Sequence, residues 1–172
     1  MWKFLLPFAA FVALAVLFAF GLNPSRDIHA LPSPLIGKPA PQFTLPDLLV
    51  QPGSLSTDTL KGHWSVVNVW GTWCVTCREE HQTLLQIARE GRVPIIGIDW
   101  KDDDGDARRW LSELGNPYQR VGVDREGRVA IDWGVYAAPE SFLVNPAGIV
   151  VYKQVGALTP QIWQQEFLAR LP

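Results

Sequence analysis

The sequence predicts an α/β protein whose centre is a β-α-β unit. Residues 64–71 (WSVVNVWG) are apolar and rich in β-branched side chains, as expected of a buried parallel strand. Residues 77–90 place apolar side chains at helical spacing, and residues 93–99 (VPIIGID) predict a second buried strand. The only cysteines of the chain, Cys74 and Cys77, stand between the first strand and the helix. Functional sites of open α/β sheets lie at this carboxyl end of the strands.

The two cysteines are separated by Val75 and Thr76, a spacing that suits a redox disulfide or two metal-binding thiolates. If Cys74 begins the helix, its sulfur lies among unpaired backbone N–H groups at the positive end of the helix dipole. These groups favour the thiolate, which is the form that attacks a disulfide. A structural disulfide is disfavoured, because so small a loop removes little entropy from the unfolded chain. We therefore predict a redox-active pair.

Neither a structural zinc site nor a covalent haem site suits these cysteines. Zinc needs about four ligands, and only His81 clusters with the two thiols. Haem attachment requires a histidine directly after the second cysteine, where this chain has Arg78. We expect His81 to lie on the helix surface. We expect no metal and no cofactor other than the Cys74–Cys77 pair itself.

The chain divides into an anchor, a linker and one folded domain. Residues 4–22 are uniformly apolar, follow Lys3 and are long enough to cross the ~30 Å hydrocarbon core of a bilayer. We expect an uncleaved anchor over residues 1–22; a cleaved signal peptide is the alternative, but its apolar core is typically shorter. Residues 23–34 are rich in Pro and predict an extended linker. The domain of residues 35–172 is then exported, because the positive end of an anchor stays in the cytoplasm.

The remaining elements of the domain are short. Strands are predicted at residues 42–45, 121–123, 141–144 and 149–155, the last two joined as a hairpin. Further helices are predicted at residues 107–114 and 129–133, and Thr159-Pro160 opens a last amphipathic helix. A net charge of −2 without a basic stripe argues against a nucleic-acid partner.

Four blocks of the sequence resemble the thiol:disulfide interchange proteins of cytochrome c maturation, which are the DsbE/CcmG family of the thioredoxin superfamily. They are NVWGTWCVTCREEH at residues 68–81, DWKDD at 99–103, LGNPY at 114–118 and GVYAAPESFL at 134–143. The CxxC motif alone indicates the superfamily, and the other three blocks indicate the family. The resemblance implies a thioredoxin-like fold, in which helices flank a central mixed sheet and a transmembrane helix precedes the domain.

The resemblance also implies roles for the residues of the redox site. Cys74 attacks and Cys77 resolves, while Pro139 follows a cis peptide bond and faces the disulfide. Trp73 and Thr76 support the pair as its immediate neighbours. The family commonly has Pro-Thr between its cysteines, so Val75-Thr76 lacks the fixed φ that Pro gives to a helix start.

The acidic residues near the site bear on proton transfer. Asn68 stands six residues before Cys74, where thioredoxins usually carry a buried Asp, and Asn cannot accept a proton. Glu80, on the helical face of Cys77, and Glu140, directly after Pro139, match acidic positions of the family's active site. A carboxylate in a partly apolar site has a raised pKa and can take the proton of Cys77. We expect the neighbouring Glu79 to be exposed.

The resemblance implies a disulfide reductase tethered to a bacterial inner membrane, with its catalytic domain on the periplasmic side. Its substrate would be the haem-binding cysteines of apocytochrome c, or a maturation partner with cysteines, and its electrons would come from a membrane thiol-disulfide transporter. Two alternatives remain open. The first is a general exported thiol oxidoreductase, and the second is a copper chaperone that binds metal at Cys74 and Cys77.

Overall fold

The computed structural model describes residues 2–21 and 33–172, which belong to two compact units divided after residue 31. In the first unit, helix α1 spans Trp2–Gly21. None of the helices in the described ranges combines the length and the apolarity that crossing a bilayer requires. Except for its last two residues, the predicted linker of residues 23–34 lies outside the described part of the chain.

The second unit is built on a five-stranded sheet in the order β5-β4-β3-β6-β7. Strands β3 and β4 and strands β4 and β5 are parallel, whereas β6 and β7 join in antiparallel pairs. A separate hairpin of β1 and β2 precedes this sheet along the chain. The strands are β1 (Thr44–Pro46), β2 (Ser54–Ser56), β3 (Ser65–Trp70), β4 (Ile95–Trp100), β5 (Arg120–Asp124), β6 (Glu140–Val144) and β7 (Val150–Val155).

Besides a 3₁₀ turn at Thr57–Leu60, four helical segments accompany the strands within residues 33–172. Two long helices connect the parallel strands, and a short helix precedes β6. The last segment begins at the predicted Thr159 cap, but it turns from α-helix into a π-type turn at Trp163–Phe167 and a 3₁₀ turn at Leu168–Arg170. The helices are α2 (Val75–Glu90), α3 (Asp104–Leu114), α4 (Arg128–Asp132) and α5 (Pro160–Ile162).

Two hydrophobic clusters cover the two faces of the sheet. Successive residues of a strand face opposite sides, so Val66 of β3 enters one cluster and Val67 the other. The first cluster contains side chains of α2 and α3 together with Cys74 and Cys77. The second contains side chains of α4 and of the β1-β2 hairpin. The mixed sheet flanked by helices confirms the predicted α/β fold.

The central β-α-β unit is confirmed as parallel β3, α2 and β4. Helix α2 begins earlier than the apolar spacing indicated, at Val75 rather than at Cys77. Strand β2 and the 3₁₀ turn at Thr57–Leu60 were not predicted from the sequence. Three- and four-residue segments are too short to carry a periodic pattern, and tertiary contacts decide their conformation.

Candidate active site

Cys74 and Cys77 form a disulfide at the amino-terminal end of α2. Cys74 is the N-cap residue, and its sulfur accepts a hydrogen bond of 3.0 Å from the backbone N–H of Cys77. Both cysteines are buried, whereas the neighbouring Trp73 and Val75 are 52% and 75% exposed. Thr76 is half-buried in the first turn of the helix. The reduced Cys74 would therefore have the helix-start N–H groups that favour a thiolate.

Glu80 lies one helical turn beyond Cys77 and is buried. Its Oε1 accepts a hydrogen bond of 2.9 Å from the Asn68 amide, and its Oε2 accepts one of 2.6 Å from the backbone N–H of Leu158. Burial raises the pKa of Glu80 to about 7, although both hydrogen bonds act in the opposite direction. A carboxyl group that titrates near neutral pH can accept a proton and return it.

Asn68 is buried in β3 and connects Glu80 to two further side chains. Its amide nitrogen donates to Glu80 and, at 3.0 Å, to the hydroxyl of Ser141. Its carbonyl oxygen accepts a hydrogen bond of 2.8 Å from the hydroxyl of Tyr118. Burial raises the pKa of Tyr118 well above its ordinary value, so this hydroxyl remains a donor. Asn68 therefore orients Glu80 through a hydrogen bond, and its amide does not itself accept a proton.

Tyr118 and Ser141 were not predicted as part of the site. Tyr118 ends the LGNPY block and Ser141 lies in the GVYAAPESFL block, so both belong to segments that carry the family resemblance. Position within a block does not show which side chains face Asn68, because three separate elements bring them together.

Pro139 follows a cis peptide bond, as the resemblance implied. The preceding residue, Ala138, packs against the hydrophobic cluster that contains Cys74 and Cys77. The backbone carbonyl of Pro139 accepts a hydrogen bond of 2.9 Å from the N–H of Gly156, just beyond β7. The loop that carries Pro139 is therefore attached to the edge of the sheet.

Glu140 is buried on the opposite face of the sheet from Glu80. In the β3-β6 pairing Ser141 stands opposite Asn68, whereas Glu140 stands opposite Val69, whose side chain enters the second cluster. There Oε2 of Glu140 lies 2.8 Å from Nζ of Lys153. The two carboxyl groups that were predicted together are therefore separated by the sheet.

Glu140 and Lys153 also hold the loop before Pro139. Oε1 of Glu140 accepts hydrogen bonds of 3.2 and 3.3 Å from the backbone N–H groups of Tyr136 and Ala137. Nζ of Lys153 donates at 2.8 Å to the carbonyl of Gly134 and lies 4.8 Å from the ring centroid of Tyr136. The Glu140–Lys153 pair therefore fixes the backbone conformation of residues 134–137, directly before the cis peptide bond of Pro139.

The segment before Cys74 is held by the loop that follows β4. The indole N–H of Trp73 donates at 3.0 Å to the carbonyl of Trp100, and the two rings meet edge to face at 5.5 Å. Thr72 donates its hydroxyl at 2.7 Å, and also its backbone N–H, to the carboxylate of Asp102. The DWKDD block thereby contacts the approach to the disulfide.

The expectation that His81 lies on the helix surface was wrong. His81 is buried between α2 and α3, with Nε2 3.0 Å from the carbonyl of Gly115 and Nδ1 3.4 Å from the indole nitrogen of Trp110. Burial lowers the pKa of the imidazole below its usual value. Side chains of α3 cover the face of α2 that carries His81, and the sequence of α2 alone does not show this. Glu79 is exposed, as expected.

Within the described ranges, no group of three or more His, Cys, Asp or Glu side chains is arranged to hold a metal ion. The imidazole that was weighed as a third ligand beside the cysteines already contacts Gly115 and Trp110. The arrangement supports dithiol chemistry assisted by a proton acceptor, and the acceptor that it provides on the α2 side is Glu80.

Comparisons with known proteins connect this site to a family. Residues 35–167 match the family model described as Redoxin. The thiol:disulfide interchange protein DsbE of Allochromatium vinosum is 46% identical, over 94% of this chain and 88% of its own length. DsbE of Pseudomonas aeruginosa is 44% identical and that of Escherichia coli 42% identical, each over 94% of this chain, with 88% and 89% of their own lengths covered.

Solved structures share the fold at lower identity. A DsbF homologue from Corynebacterium diphtheriae superposes with a TM-score of 0.65 at 21% identity, covering 74% of this chain and 83% of its own. A secreted disulfide oxidoreductase of Mycobacterium tuberculosis has a TM-score of 0.64 at 23% identity, covering 76% of this chain and 96% of its own. The fold is thioredoxin-like. The chain belongs to the Redoxin family and, within the thioredoxin superfamily, to the DsbE thiol:disulfide interchange proteins, so it is a thiol:disulfide oxidoreductase with a Cys74–Cys77 pair.

Proposed function

We propose that this protein is a disulfide reductase of cytochrome c maturation, tethered to a bacterial inner membrane with its domain on the periplasmic side. The observation that carries the reductase direction is the buried Glu80, one turn from Cys77, whose pKa burial raises to about 7. An acid in that position serves a dithiol in two ways. It takes the proton of the resolving thiol. Its negative charge also disfavours the Cys74 thiolate, which destabilises the dithiol form and makes the protein a better reductant.

The reaction proceeds in two exchange steps. The Cys74 thiolate attacks one sulfur of the substrate disulfide, forms a mixed disulfide and releases the first substrate thiolate. Cys77 gives its proton to Glu80 and attacks the sulfur of Cys74. The Cys74–Cys77 disulfide closes, the second substrate thiolate leaves, and both electrons have passed to the substrate. Glu80 then returns the proton to the leaving thiolate or to solvent.

The cytochrome c substrate and the location are supported by the sequence. The blocks at residues 99–103, 114–118 and 134–143 resemble the DsbE/CcmG family outside the CxxC motif. The apolar run of residues 4–22 after Lys3 supports attachment to the membrane with export of the domain. An exported dithiol faces an oxidising compartment, so a membrane thiol-disulfide transporter would have to supply its electrons.

The test is to trap the substrate in the cell. In a Cys77→Ser variant the mixed disulfide at Cys74 cannot resolve, so its partner accumulates and can be identified by mass spectrometry after acid quenching. We expect apocytochrome c or a cysteine-bearing maturation protein. A Cys74→Ser, Cys77→Ser variant is the control for non-specific capture.

Two results would contradict the proposal. A broad range of trapped exported proteins would favour a general thiol oxidoreductase. Alkylation of the wild-type protein in acid-quenched cells should show mainly the dithiol, and a mostly oxidised resting pool would indicate an oxidase instead.

A further inference from the structure

Asp99 is a buried carboxyl group that takes no part in the proton transfer proposed for Glu80. It stands near the carboxyl end of β4, fully buried, and within the described ranges neither of its oxygens has a hydrogen-bond donor. An ionised carboxylate without a donor or a cation is unfavourable in such a place. The group therefore needs either a partner or its proton.

The partner is a second carboxyl group. The side chain of Asp102 lies within hydrogen-bonding reach of Asp99. Both groups accept hydrogen bonds when ionised, so they bind each other only while one of them keeps a proton. Two adjoining carboxyl groups share one proton because two adjacent negative charges repel.

The charges around Asp99 favour the protonated form. Burial, and after it the charges of Asp102 and Asp104, raise its pKa to about 8, and Arg125 alone acts in the opposite direction. Arg125 is itself paired with Asp104 and largely exposed. The charged groups that act on Asp99 are Asp102, Asp104 and Arg125. From α2, the charge of Glu80 acts with that of Asp99 on Tyr118, whose hydroxyl is hydrogen-bonded to Asn68.

Asp102 connects this pair to the redox loop, which is the segment of residues 71–74 between β3 and α2. Its Oδ1 accepts the hydroxyl of Thr72 at 2.7 Å and the backbone N–H of Asp103 at 2.9 Å. Its Oδ2 accepts the backbone N–H of Thr72. Thr72 precedes Cys74 by two residues, and the intervening Trp73 is bonded to the carbonyl of Trp100.

We propose that Asp99 is a positioning residue of the redox site: its proton joins it to Asp102, and the pair fixes Thr72 and Trp73, and through them Cys74, for thiol exchange. When the proton leaves, the buried carboxylate of Asp99 adjoins and repels the half-buried carboxylate of Asp102, and the hold of Asp102 on Thr72 weakens. Exchange at Cys74 then depends on pH through Asp99 as well as through the thiols. This inference rests on the thiol oxidoreductase activity and is independent of the cytochrome c substrate.

The first experiment is an NMR titration of the oxidised full-length protein, in which the cysteines do not titrate. The background is Glu80→Gln, which removes the other raised carboxyl. We expect the backbone amide of Thr72 and the indole N–H of Trp73 to shift together with a midpoint near pH 8, the value to which the pKa of Asp99 is raised. Asp99→Asn should abolish this common shift, and Glu79→Gln, at an exposed acid of α2, should leave it unchanged.

The second experiment measures the rate of exchange between the reduced protein and a small aromatic disulfide as a function of pH. Asn at this position donates a hydrogen bond to Asp102 at every pH, so Asp99→Asn should keep the wild-type rate at pH 7 and exceed it above pH 8. Asp99→Leu offers no donor and should be slower at pH 7 by on the order of tenfold to a hundredfold, because the loop loses its orientation.

Specific results would overturn the inference. One is persistence of the pH-dependent shift of the Thr72 amide in Asp99→Asn. The other is an equal fractional loss of exchange rate at every pH in Asp99→Asn and Asp99→Leu, which a merely structural residue would give. If Asp99→Asn does not fold, Asp102→Asn provides the second variant. It removes the like charge and should move the midpoint of Asp99 to lower pH, and an unchanged midpoint would contradict the coupling.

Discussion

At the scale of single residues, the acid of this site lies on the helix instead of on the central strand. Asn68 occupies the strand position where an Asp was expected, and all of its polar side-chain atoms take part in hydrogen bonds to Glu80, Ser141 and Tyr118. An amide can donate to a carboxylate and accept from a hydroxyl at once, which a second carboxylate could not do. The strand therefore orients the acid, and Glu80 carries the proton.

The pH dependence of disulfide resolution tests whether Glu80 accepts the proton of Cys77. Burial raises the pKa of Glu80 to about 7, so in the wild type the base becomes available as pH rises through that value. In Glu80→Gln we expect resolution of a mixed disulfide to be slower above pH 7 by about 10²-fold, and its rate to follow the titration of Cys77 alone. Rapid-quench measurement of the mixed disulfide gives this rate.

The control for this prediction is Glu79→Gln, which removes a neighbouring charge that is exposed. It should leave the rate within about twofold of the wild type, since exposed charges interact weakly through water. Identical pH profiles for Glu80→Gln and the wild type would show that Glu80 does not serve Cys77.

At the scale of elements, the loop before Pro139 depends on a buried ion pair between β6 and β7. Glu140 and Lys153 lie 2.8 Å apart, with side chains 0% and 6% exposed. The pair Lys61 and Asp58 has a similar separation, 2.7 Å, but its side chains are 54% and 74% exposed. Burial, not distance, decides what each pair contributes, because water screens the exposed one.

Removing one partner from each pair tests this difference. Lys153→Met leaves Glu140 charged and buried, and we expect the free energy of unfolding to fall by about 3–5 kcal/mol. The matched change Lys61→Met should alter it by less than about 1 kcal/mol. Denaturant titration of the oxidised protein measures both. The double variant Glu140→Gln, Lys153→Met should recover most of the loss, and a purely additive loss would exclude coupling between the two groups.

Local sequence determined which elements were predictable. The β-α-β unit was predicted because strand composition, helical spacing and the CxxC motif lie within one continuous segment, although the apolar spacing placed the helix start at Cys77 instead of directly after Cys74. The side of the sheet on which Glu140 lies depends on strand register, and a shift of one residue would reverse it. The burial of His81 depends on α3, which lies some thirty residues farther along the chain. Such features follow from tertiary packing.

At the scale of the whole domain, the sheet order brings the site together. Asn68 on β3 lies beside β4 on one side and β6 on the other, so the segments that carry Tyr118 and Ser141 reach it from distant parts of the chain. The same order places the end of β4, with Asp99, beside the end of β3, where the redox loop begins. The domain thus encloses several titratable groups in its interior, and their protons are linked to its stability.

The stability of the oxidised domain should therefore fall as pH rises above 6.5. Burial raises the pKa of Glu80 from 4.5 to about 7 and that of Asp99 from 3.8 to about 8, so the folded state holds protons that the unfolded state has lost. Unfolding then becomes easier with rising pH. The lowered pKa of His81 acts in the opposite direction, mainly below and around its ordinary value of 6.5. Between pH 6.5 and 8 the two acids outweigh the histidine, and we expect a net loss of about 2 kcal/mol.

Denaturant titrations of the oxidised protein at pH 6.5, 7.2 and 8 measure this loss, since disulfide-bonded cysteines do not titrate. In the double variant Glu80→Gln, Asp99→Asn, the free energy of unfolding should change little between pH 6.5 and 8, because both of these buried carboxyl groups have been replaced by amides. Glu79→Gln should retain the wild-type slope. If the wild-type domain instead became more stable over this interval, the folded state would be binding fewer protons than the unfolded state, and Glu80 and Asp99 would both be ionised in the fold.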